Sequence, residues 1–311
     1  MSKFLSIHRN IVSSHQRLQC MKTRMKRKNQ KKSLFLPILL VFGLGVTCIA
    51  CVQQASSGHR VEDALVKIAS EAKEVLRQSS SVSLSSGFEM PAIREDVDTR
   101  ILSRTGYTLS YNDEWKIPNW VAWQLTDERV KGRVKRSNEF YTDEDLPVRY
   151  RSEHRDYSGS RYDRGHMVPA GDMKWDEQAM KESFYMSNMC PQAPNLNKGD
   201  WRILEEQCRK WAQRYGTLFI ACGPIVNDGG GHKRIGRSKV LVPDGFFKVV
   251  LKMGRKPSAI GFVFPNDDCN QPLMEYAMSV DDVEELTGID FFHHLPDDQE
   301  EMLEAQKVVN W

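Results

Sequence analysis

The sequence predicts an α+β domain that extends from about residue 96 to the end of the 311-residue chain. Short runs of β-branched and aromatic residues, typical of strands, alternate there with longer segments of helical periodicity. We predict four strands, at Trp120–Leu125, Thr217–Cys222, Phe246–Leu251 and Ala259–Phe264. A chain of this length is long enough for one large domain with additional segments.

The clearest helix is predicted at about residues 199–215. Its apolar residues recur at intervals of three and four, so we expect them to form one face that packs on the core. These residues are Trp201, Leu204, Cys208, Trp211, Ala212 and Tyr215. A second, shorter helix is predicted at Val280–Leu286.

The first 51 residues are typical of an export signal. Residues 1–32 contain ten basic side chains and no acidic one, and an apolar segment follows at residues 33–51. A basic flank before an apolar segment stays in the cytoplasm, whereas the chain beyond the segment is exported. We therefore predict an exported protein of the cell envelope, attached to a membrane through this segment, whose main domain lies outside the cytoplasm.

The fate of the apolar segment is left open by the sequence. It is a cleaved signal peptide, an uncleaved anchor, or the signal of a lipoprotein in which Cys51 follows a small residue. Cys48 stands where the lipoprotein motif usually has leucine. We interpret residues 52–95 as a tether, with a helical stretch at Val61–Leu76 and a serine-rich stretch at Ser79–Gly87.

The charge distribution limits where a polyanion could bind. The formal net charge is +3, but ten of the 44 basic residues lie in residues 1–51. The remaining 34 basic residues face 41 acidic ones, which gives residues 52–311 a net charge of −7. A typical nucleic-acid-binding domain is basic. Any phosphate-binding surface must therefore be a local patch on an acidic protein.

Four cysteines follow the apolar segment, at positions 190, 208, 222 and 269. An even number in an exported domain permits two disulfides in three pairings. We predict a Cys190–Cys208 bridge, which would tie the loop before the candidate site to the following helix. A zinc site is the alternative, but no Cys-x-x-Cys pair is present among these four.

Two segments contain the side chains that phosphodiester hydrolysis needs: Asp163–Asp172 (DRGHMVPAGD) and residues 187–205. The attacking water must lose a proton, and histidine is a suitable general base near neutral pH. Negative charge grows on the phosphoryl oxygens, where arginine and a divalent cation stabilise it. Magnesium prefers oxygen ligands and retains several waters, so it needs few ligands from the protein.

His166 is the candidate base, and Arg164 precedes it by two residues, so both face one side of an extended segment. Asn197 offers an amide oxygen to a metal. Glu205 follows eight residues later, about 80° away around a continuous helix, which would let both side chains face one site. Each residue alone is more often structural, and Asp163 with Arg164 alone suggests an ordinary ion pair. Their joint occurrence in this order favours a catalytic site.

The two segments closely resemble the DNA/RNA non-specific endonuclease family. Asp163–Asp172 matches its Asp-Arg-Gly-His motif with the following proline and aspartate, and Asn188–Glu205 matches its later blocks. The resemblance covers about residues 100–300. It implies the ββα-metal (His-Me finger) nuclease fold with a mixed or antiparallel sheet. It also implies an Mg²⁺-dependent endonuclease, with Mn²⁺ as a substitute ion, that cuts DNA and RNA and leaves 5′-phosphate ends.

The resemblance also assigns roles to individual residues. It implies that His166 is the general base, that Asn197 binds Mg²⁺ directly, and that Glu205 holds the ion through its water shell. Arg164 would bind the scissile phosphate, and Asn188 would support the site.

A further arginine of the family lies well before the motif. Arg136 is the best match, although Arg133 is close. The predicted partners are DNA and RNA, whose phosphates carry no sequence information, and the chain shows no base-reading module. The oligomeric state is not predicted.

Three other functions fit parts of the sequence. The first is a phosphodiesterase that acts on smaller nucleotides with the same scaffold. The second is a catalytically weak, membrane-tethered nucleic-acid-binding protein, which would be expected to lack a catalytic residue. The third is a toxin, for which the sequence shows no delivery domain. Retention of every motif residue favours the nuclease.

Overall fold

The computed structural model describes residues 87–92, 99–227, 229–306 and 311, which belong to the unit Gly87–Trp311. A seven-stranded antiparallel sheet is its central element. In the order of the sheet, its strands are β1 (Thr99–Ser103), β2 (Thr108–Asn112), β3 (Ile117–Leu125), β6 (Leu218–Ile225), β9 (Gly245–Lys252), β10 (Ser258–Pro265) and β11 (Ala277–Met278). Two smaller strand pairs are β4 (Asp163–His166) with β5 (Met189–Gln192), and β7 (Arg234–Ile235) with β8 (Val240–Leu241).

Six α-helices accompany these strands in the described residues. They are α1 (Asp127–Val130), α2 (Glu177–Ser183), α3 (Pro194–Lys198), α4 (Asp200–Tyr215), α5 (Val280–Thr287) and α6 (Asp297–Glu304). The predicted α+β class is therefore confirmed. The four predicted strands are β3, β6, β9 and β10, and the two predicted helices are α4 and α5.

Both faces of the central sheet are covered, which explains its nearly continuous apolar strands. In β9, Phe246 and Val250 belong to one buried cluster, whereas Phe247 and Val249 belong to another. Helix α4 packs in the first cluster, and the C-terminal helices α5 and α6 pack in the second. The motif-bearing strands β4 and β5 also contribute to the first cluster, so the candidate site lies on the α4 side of the sheet.

Helix α4 buries the face that its sequence predicted. Trp201, Leu204, Cys208, Trp211 and Ala212 are buried, and Tyr215 packs at the edge of the same cluster. Burying a large apolar side chain contributes about 1.5–3 kcal/mol, so this face fixes the helix firmly against the sheet.

One expectation about this region was wrong. Asn197 and Glu205 do not lie on one continuous helix, because Gly199, with φ −101° and ψ −113°, interrupts the chain between α3 and α4. A β-carbon at Gly199 would lie 2.4 Å from the carbonyl oxygen of Asn195. The two candidate metal ligands therefore approach the site from two helices, and the angle of about 80° expected for an unbroken helix does not apply.

The predicted export signal and most of the tether lie outside the described residues. Of the tether, the structure describes residues 87–92, where the Phe88 ring packs edge-on against Phe219 at 5.3 Å and the Ala92 amide donates to the Asp290 carbonyl. Among the helices that the structure describes, none is long and apolar enough to cross a membrane. The proposed domain boundaries stay predictions.

The strand pair β4–β5 requires glycine at position 165. Gly165 lies opposite Cys190 in the register. A β-carbon on Gly165 would lie 2.3 Å from Gln192 Oε1 and 2.6 Å from Gln192 Cβ. Rotating the amide would relieve the first contact but not the second, so the backbone itself would have to move.

We therefore expect Gly165→Ala to lower the free energy of unfolding by about 1–3 kcal/mol, the usual effect of overpacking. Urea denaturation measures this change. Gly229→Ala is the control, because a β-carbon at Gly229 would have no neighbour within 4 Å. Equal stability of the two variants would show that β4 and β5 are not packed this closely.

Candidate active site

The amide side chain of Asn188 fixes the backbone that follows the candidate base. The Val168 amide donates to Asn188 Oδ1 at 2.9 Å, while Asn188 Nδ2 donates to the carbonyls of Val168 (3.0 Å) and Ser183 (2.8 Å). The Met167 amide also donates to the Asn188 carbonyl. Asn188 is fully buried, and its amide oxygen and nitrogen are both engaged with the backbone. It acts on the site through position rather than through contact with a substrate.

The His166 ring is held between the hydrogen-bonded strand and two phenylalanines. Its centroid lies 4.8 Å from that of Phe184 and 5.8 Å from that of Phe140. Trp201 Nε1 donates to the His166 carbonyl at 3.2 Å, which connects β4 to α4. Nε2 of His166 is buried and has no hydrogen-bond partner among the described residues.

Burial, and then the positive charge of Arg136, lower the pKa of His166 to about 3, although a hydrogen bond to the Arg164 backbone opposes the shift. The imidazole is therefore neutral at physiological pH. A neutral ring with an unengaged nitrogen can accept a proton. An anionic group bound next to it would raise its pKa, because the opposite charge stabilises the imidazolium.

Arg164 lies between aromatic rings with its guanidinium directed at His154. Its Cζ lies 5.2 Å from the Phe140 centroid and 5.7 Å from the Tyr157 centroid. Its Nη2 contacts both the Nε2 and the carbonyl oxygen of His154 at 3.2 Å. Arg164 Nε is buried without a partner in the described structure. The guanidinium is thus held in place through Nη2, and its other N–H groups remain able to donate hydrogen bonds.

Asn197 is oriented by the first residue of the motif. Its Nδ2 donates to Asp163 Oδ2 at 3.0 Å, and Lys198 Nζ forms an ion pair with the same oxygen at 3.0 Å. The amide nitrogen is therefore engaged, while Oδ1 has no hydrogen bond within the described structure. This orientation leaves the oxygen of Asn197 as the atom that could bind a cation.

Glu205 is a second candidate oxygen ligand, and its carboxylate has no hydrogen bond or ion pair in the described part of the chain. Burial raises its pKa to about 7, against the opposing effect of the positive charges of Lys248, Arg209 and Arg136. A buried carboxylate is costly unless a positive charge or a hydrogen bond compensates it. None of the three nearby positive charges pairs directly with Glu205. Its carboxylate is therefore available to a cation.

Arg136, rather than Arg133, is near the other candidate residues. Its Cζ lies 5.2 Å from the Phe184 centroid, and its charge affects both His166 and Glu205. Arg133 instead lines a surface groove beside the site. Arg136 thus lies near both His166 and Glu205. Of the two arginines that the sequence left open, the structure favours Arg136.

The sequence analysis missed Asp172 as a member of the site. Its buried carboxylate accepts from Trp123 Nε1 at 3.1 Å and forms an ion pair with Arg209 at 2.9 Å. These contacts connect the end of the motif to β3 and α4. The aspartate was visible in the motif, but its partners lie 49 and 37 residues away in the sequence.

Lys248 was missed as well. Only 1% of its surface is exposed, and its Nζ lies 4.8 Å and 4.5 Å from the ring centroids of Trp123 and Trp201. Both aromatic faces attract a cation. The available signal was a lysine in the middle of the apolar strand β9, where a charge is unusual.

The predicted Cys190–Cys208 disulfide is wrong, because all four described cysteines are free thiols. Cys190 on β5 interacts with Cys222, and burial followed by that neighbour raises its pKa. Cys208 lies on α4 among Lys248, Asp172 and Arg209 instead. Cys190, Cys208 and Cys222 all belong to the buried cluster on the α4 side of the sheet, and sequence order alone could not show that Cys190 interacts with Cys222.

Comparison with known proteins gives a consistent assignment. The sequence profile of the DNA/RNA non-specific endonuclease family matches residues 85–298. A crystal structure of EndoG in complex with EndoGI has a TM-score of 0.63 and 29% identity, and covers 70% of this chain and 94% of that one. The resemblance and the nuclease fold that the sequence predicted are confirmed.

Similar proteins include several named nucleases. Human mitochondrial nuclease EXOG is 35% identical over 207 residues, which are 61% of this chain and 56% of that protein. Mitochondrial nuclease 1 of Schizosaccharomyces pombe is 35% identical over 222 residues, or 65% and 69% of the two chains. Nuclease C1 of Cunninghamella echinulata is also 35% identical, over 62% of this chain and 83% of that one. The chain thus matches little more than half the length of the human relative.

The low pKa of His166 predicts a loss of stability in acid. An unfolded histidine takes up a proton below about pH 6.5, whereas the folded His166 does so only near pH 3. Folding stability must therefore fall as the pH decreases through this window. Relative to His166→Gln, the wild-type free energy of unfolding should fall by about 2 kcal/mol between pH 7 and pH 5.

Urea denaturation of both proteins in EDTA, across this pH range, measures the difference. His294→Gln is the control, since His294 is exposed and remote in sequence from the motif. Parallel stability curves for wild type and His166→Gln would contradict the buried, neutral state of the ring.

Proposed function

The chain belongs to the DNA/RNA non-specific endonuclease family, and on that premise we propose that it hydrolyses phosphodiester bonds of DNA and RNA with little sequence preference. His166 accepts the proton of the attacking water, and the products carry 5′-phosphate ends. The observation that carries this proposal is the unpartnered, buried Nε2 of a neutral His166 within the electrostatic reach of Arg136.

The donor set supports a bound divalent cation. Asn197 and Glu205 would hold it, since the first has an oriented amide whose oxygen is unengaged and the second is a carboxylate without a direct partner. Oxygen ligands of this kind suit Mg²⁺, with Mn²⁺ as a substitute. When bound, the ion supplies electrostatic stabilisation to the charge that develops on the phosphoryl oxygens.

The arginines bind and orient the scissile phosphate. Arg164 is held by His154 and two aromatic rings, and it retains donors for a phosphate oxygen. Arg136 lies near both the base and the candidate metal ligand Glu205, where a second phosphate oxygen would be neutralised. Contacts with the backbone phosphate do not depend on which base or which sugar follows, which is consistent with low specificity.

A basic groove next to this site supports a polymeric substrate. It has a volume of about 720 Å³ and is lined by four basic residues: Arg133, Lys135, Lys174 and Lys181. Tyr141 and Trp175 lie in the same groove. Helix α2 and its C-cap connect groove and site, because Lys181 lines the groove and Phe184 contacts His166. Flanking phosphates bind here, on a local basic patch of an acidic protein.

The alternative is a phosphodiesterase for smaller nucleotides, which would not need this groove. Digestion of supercoiled plasmid, compared with hydrolysis of a dinucleotide, separates the two functions. Faster turnover of the plasmid supports the endonuclease, whereas activity confined to the dinucleotide would overturn it.

The general base is tested by His166→Ala. We expect plasmid cleavage to fall by about 10²–10⁴-fold, the usual effect of removing a general base, with the melting temperature showing that the variant is folded. His294→Ala should cleave like the wild type. Near-normal turnover by a folded His166→Ala protein would exclude this assignment.

The metal ligands are tested by calorimetric titration with MgCl₂. We expect Asn197→Ala to weaken Mg²⁺ affinity at least tenfold and to lower activity in parallel, because a direct ligand is lost. Glu205→Ala should weaken the affinity less than Asn197→Ala does, since Glu205 is proposed to act through the water shell of the ion. Asn195→Ala, on the same short helix, is the control. Unchanged affinity in Asn197→Ala would remove it from the coordination sphere.

The N-terminal 51 residues are proposed to export the nuclease unit, either as a cleaved signal or as a membrane or lipoprotein anchor. Their ten basic residues and lack of acids motivate this orientation. In bacteria, alkaline phosphatase fused after residue 95 should be active, because it requires export. An inactive fusion, together with a fluorescent cytoplasmic reporter at the same position, would refute export.

A further inference from the structure

Three carboxylates converge on the sheet face opposite α4. Helices α5 and α6 pack there through Val280, Val283 and Leu303. Asp281 and Glu284 on α5, and Glu304 on α6, each direct an oxygen into one cluster, and these oxygens lie within 4.8 Å of one another. The cluster is separate from the candidate active site, whose residues belong to the α4 side of the sheet.

Glu304 is the unusual member of this cluster. Only 4% of its surface is exposed, and its Oε1 is buried without a hydrogen-bond partner in the described residues. An uncompensated buried carboxylate is costly, so Glu304 must either take up a proton or be compensated by a cation. Burial, followed by the carboxylates of Glu284 and Glu300, raises its pKa to about 10. Glu284 and Glu300 therefore repel a negative charge on Glu304 rather than compensate it.

Glu284 is already oriented towards the cluster. Its Oε1 accepts from the Phe291 amide at 2.7 Å, which fixes the carboxylate against the chain segment between α5 and α6. Asp281, at the start of α5, is exposed and offers access from solvent. One buried, one oriented and one exposed carboxylate together form a partly dehydrated, open site.

We propose that Asp281, Glu284 and Glu304 bind a Ca²⁺ ion that ties α5 to α6. Two oxygens on one ion lie at most twice the metal–oxygen distance apart, about 4.6–5.2 Å for Ca²⁺ and about 4.0–4.2 Å for Mg²⁺. Oxygens within 4.8 Å of one another can share one Ca²⁺ after a small adjustment of their side chains. Water completes its six to eight ligands.

The ion stabilises the C-terminal part of the fold and takes no part in hydrolysis. It compensates the charge of Glu304 and joins two helices of eight residues each, both of which cover β10. The competing arrangement is a set of carboxyl groups that share protons. In that arrangement calcium would not change the stability, so the two can be distinguished directly.

The test is the melting temperature of the full-length protein in EDTA and in excess CaCl₂. The double variant Asn197→Ala, Glu205→Gln serves as the background, so that calcium at the proposed catalytic site does not contribute. We expect calcium to raise the melting temperature of this protein, and to raise it more than MgCl₂ does. Adding Glu304→Gln should abolish the rise and weaken calcium affinity at least tenfold in calorimetry.

Asp281→Asn provides a second variant at an exposed position, should Glu304→Gln fail to fold. Glu301→Gln is the matched control, because Glu301 lies on α6 and is exposed. It should retain the full calcium response. The proposal is overturned if calcium leaves this background protein unchanged, or if the response persists when either Glu304→Gln or Asp281→Asn is added to it. Neither result depends on nuclease activity, so it leaves the proposed function intact.

Discussion

The buried amide of Asn188 is the constraint on which the site depends. One side chain bonds to the main chain at Val168, within the motif Asp163–Asp172, and at Ser183, the last residue of α2. A buried polar group whose partner is lost costs about 1–3 kcal/mol, so these bonds hold the backbone in one arrangement. The position of His166 follows, since it precedes Val168 by two residues and is also anchored by Trp201.

Charge compensation beneath the site forms a second layer of organisation. Lys248 is enclosed by two tryptophans, while Asp172 is paired with Arg209. Glu205 lies within the field of these groups but has no direct partner in the described structure. The charged groups around Glu205 are thus already engaged with other partners. Its carboxylate therefore stays available within the candidate site.

Local pattern was enough for the main elements but not for long-range packing. The apolar stripe of α4 and the four β-rich runs depend on nearest neighbours, and they appeared where the periodicity placed them. The interruption at Gly199 depends on a close backbone approach, and the location of Lys248 depends on tryptophans from β3 and α4. The cysteine pairing failed for the same reason. Motif order identified His166 and Asn197, whereas the choice between Arg136 and Arg133 required the folded chain.

The free thiols have a practical consequence. Burial raises the pKa of Cys208 and of Cys222 to about 12, and that of Cys269 to about 11. Alkylating reagents attack the thiolate, so these cysteines react slowly while they remain buried and protonated. Thiol labelling of the native protein would accordingly record how often its interior opens to solvent.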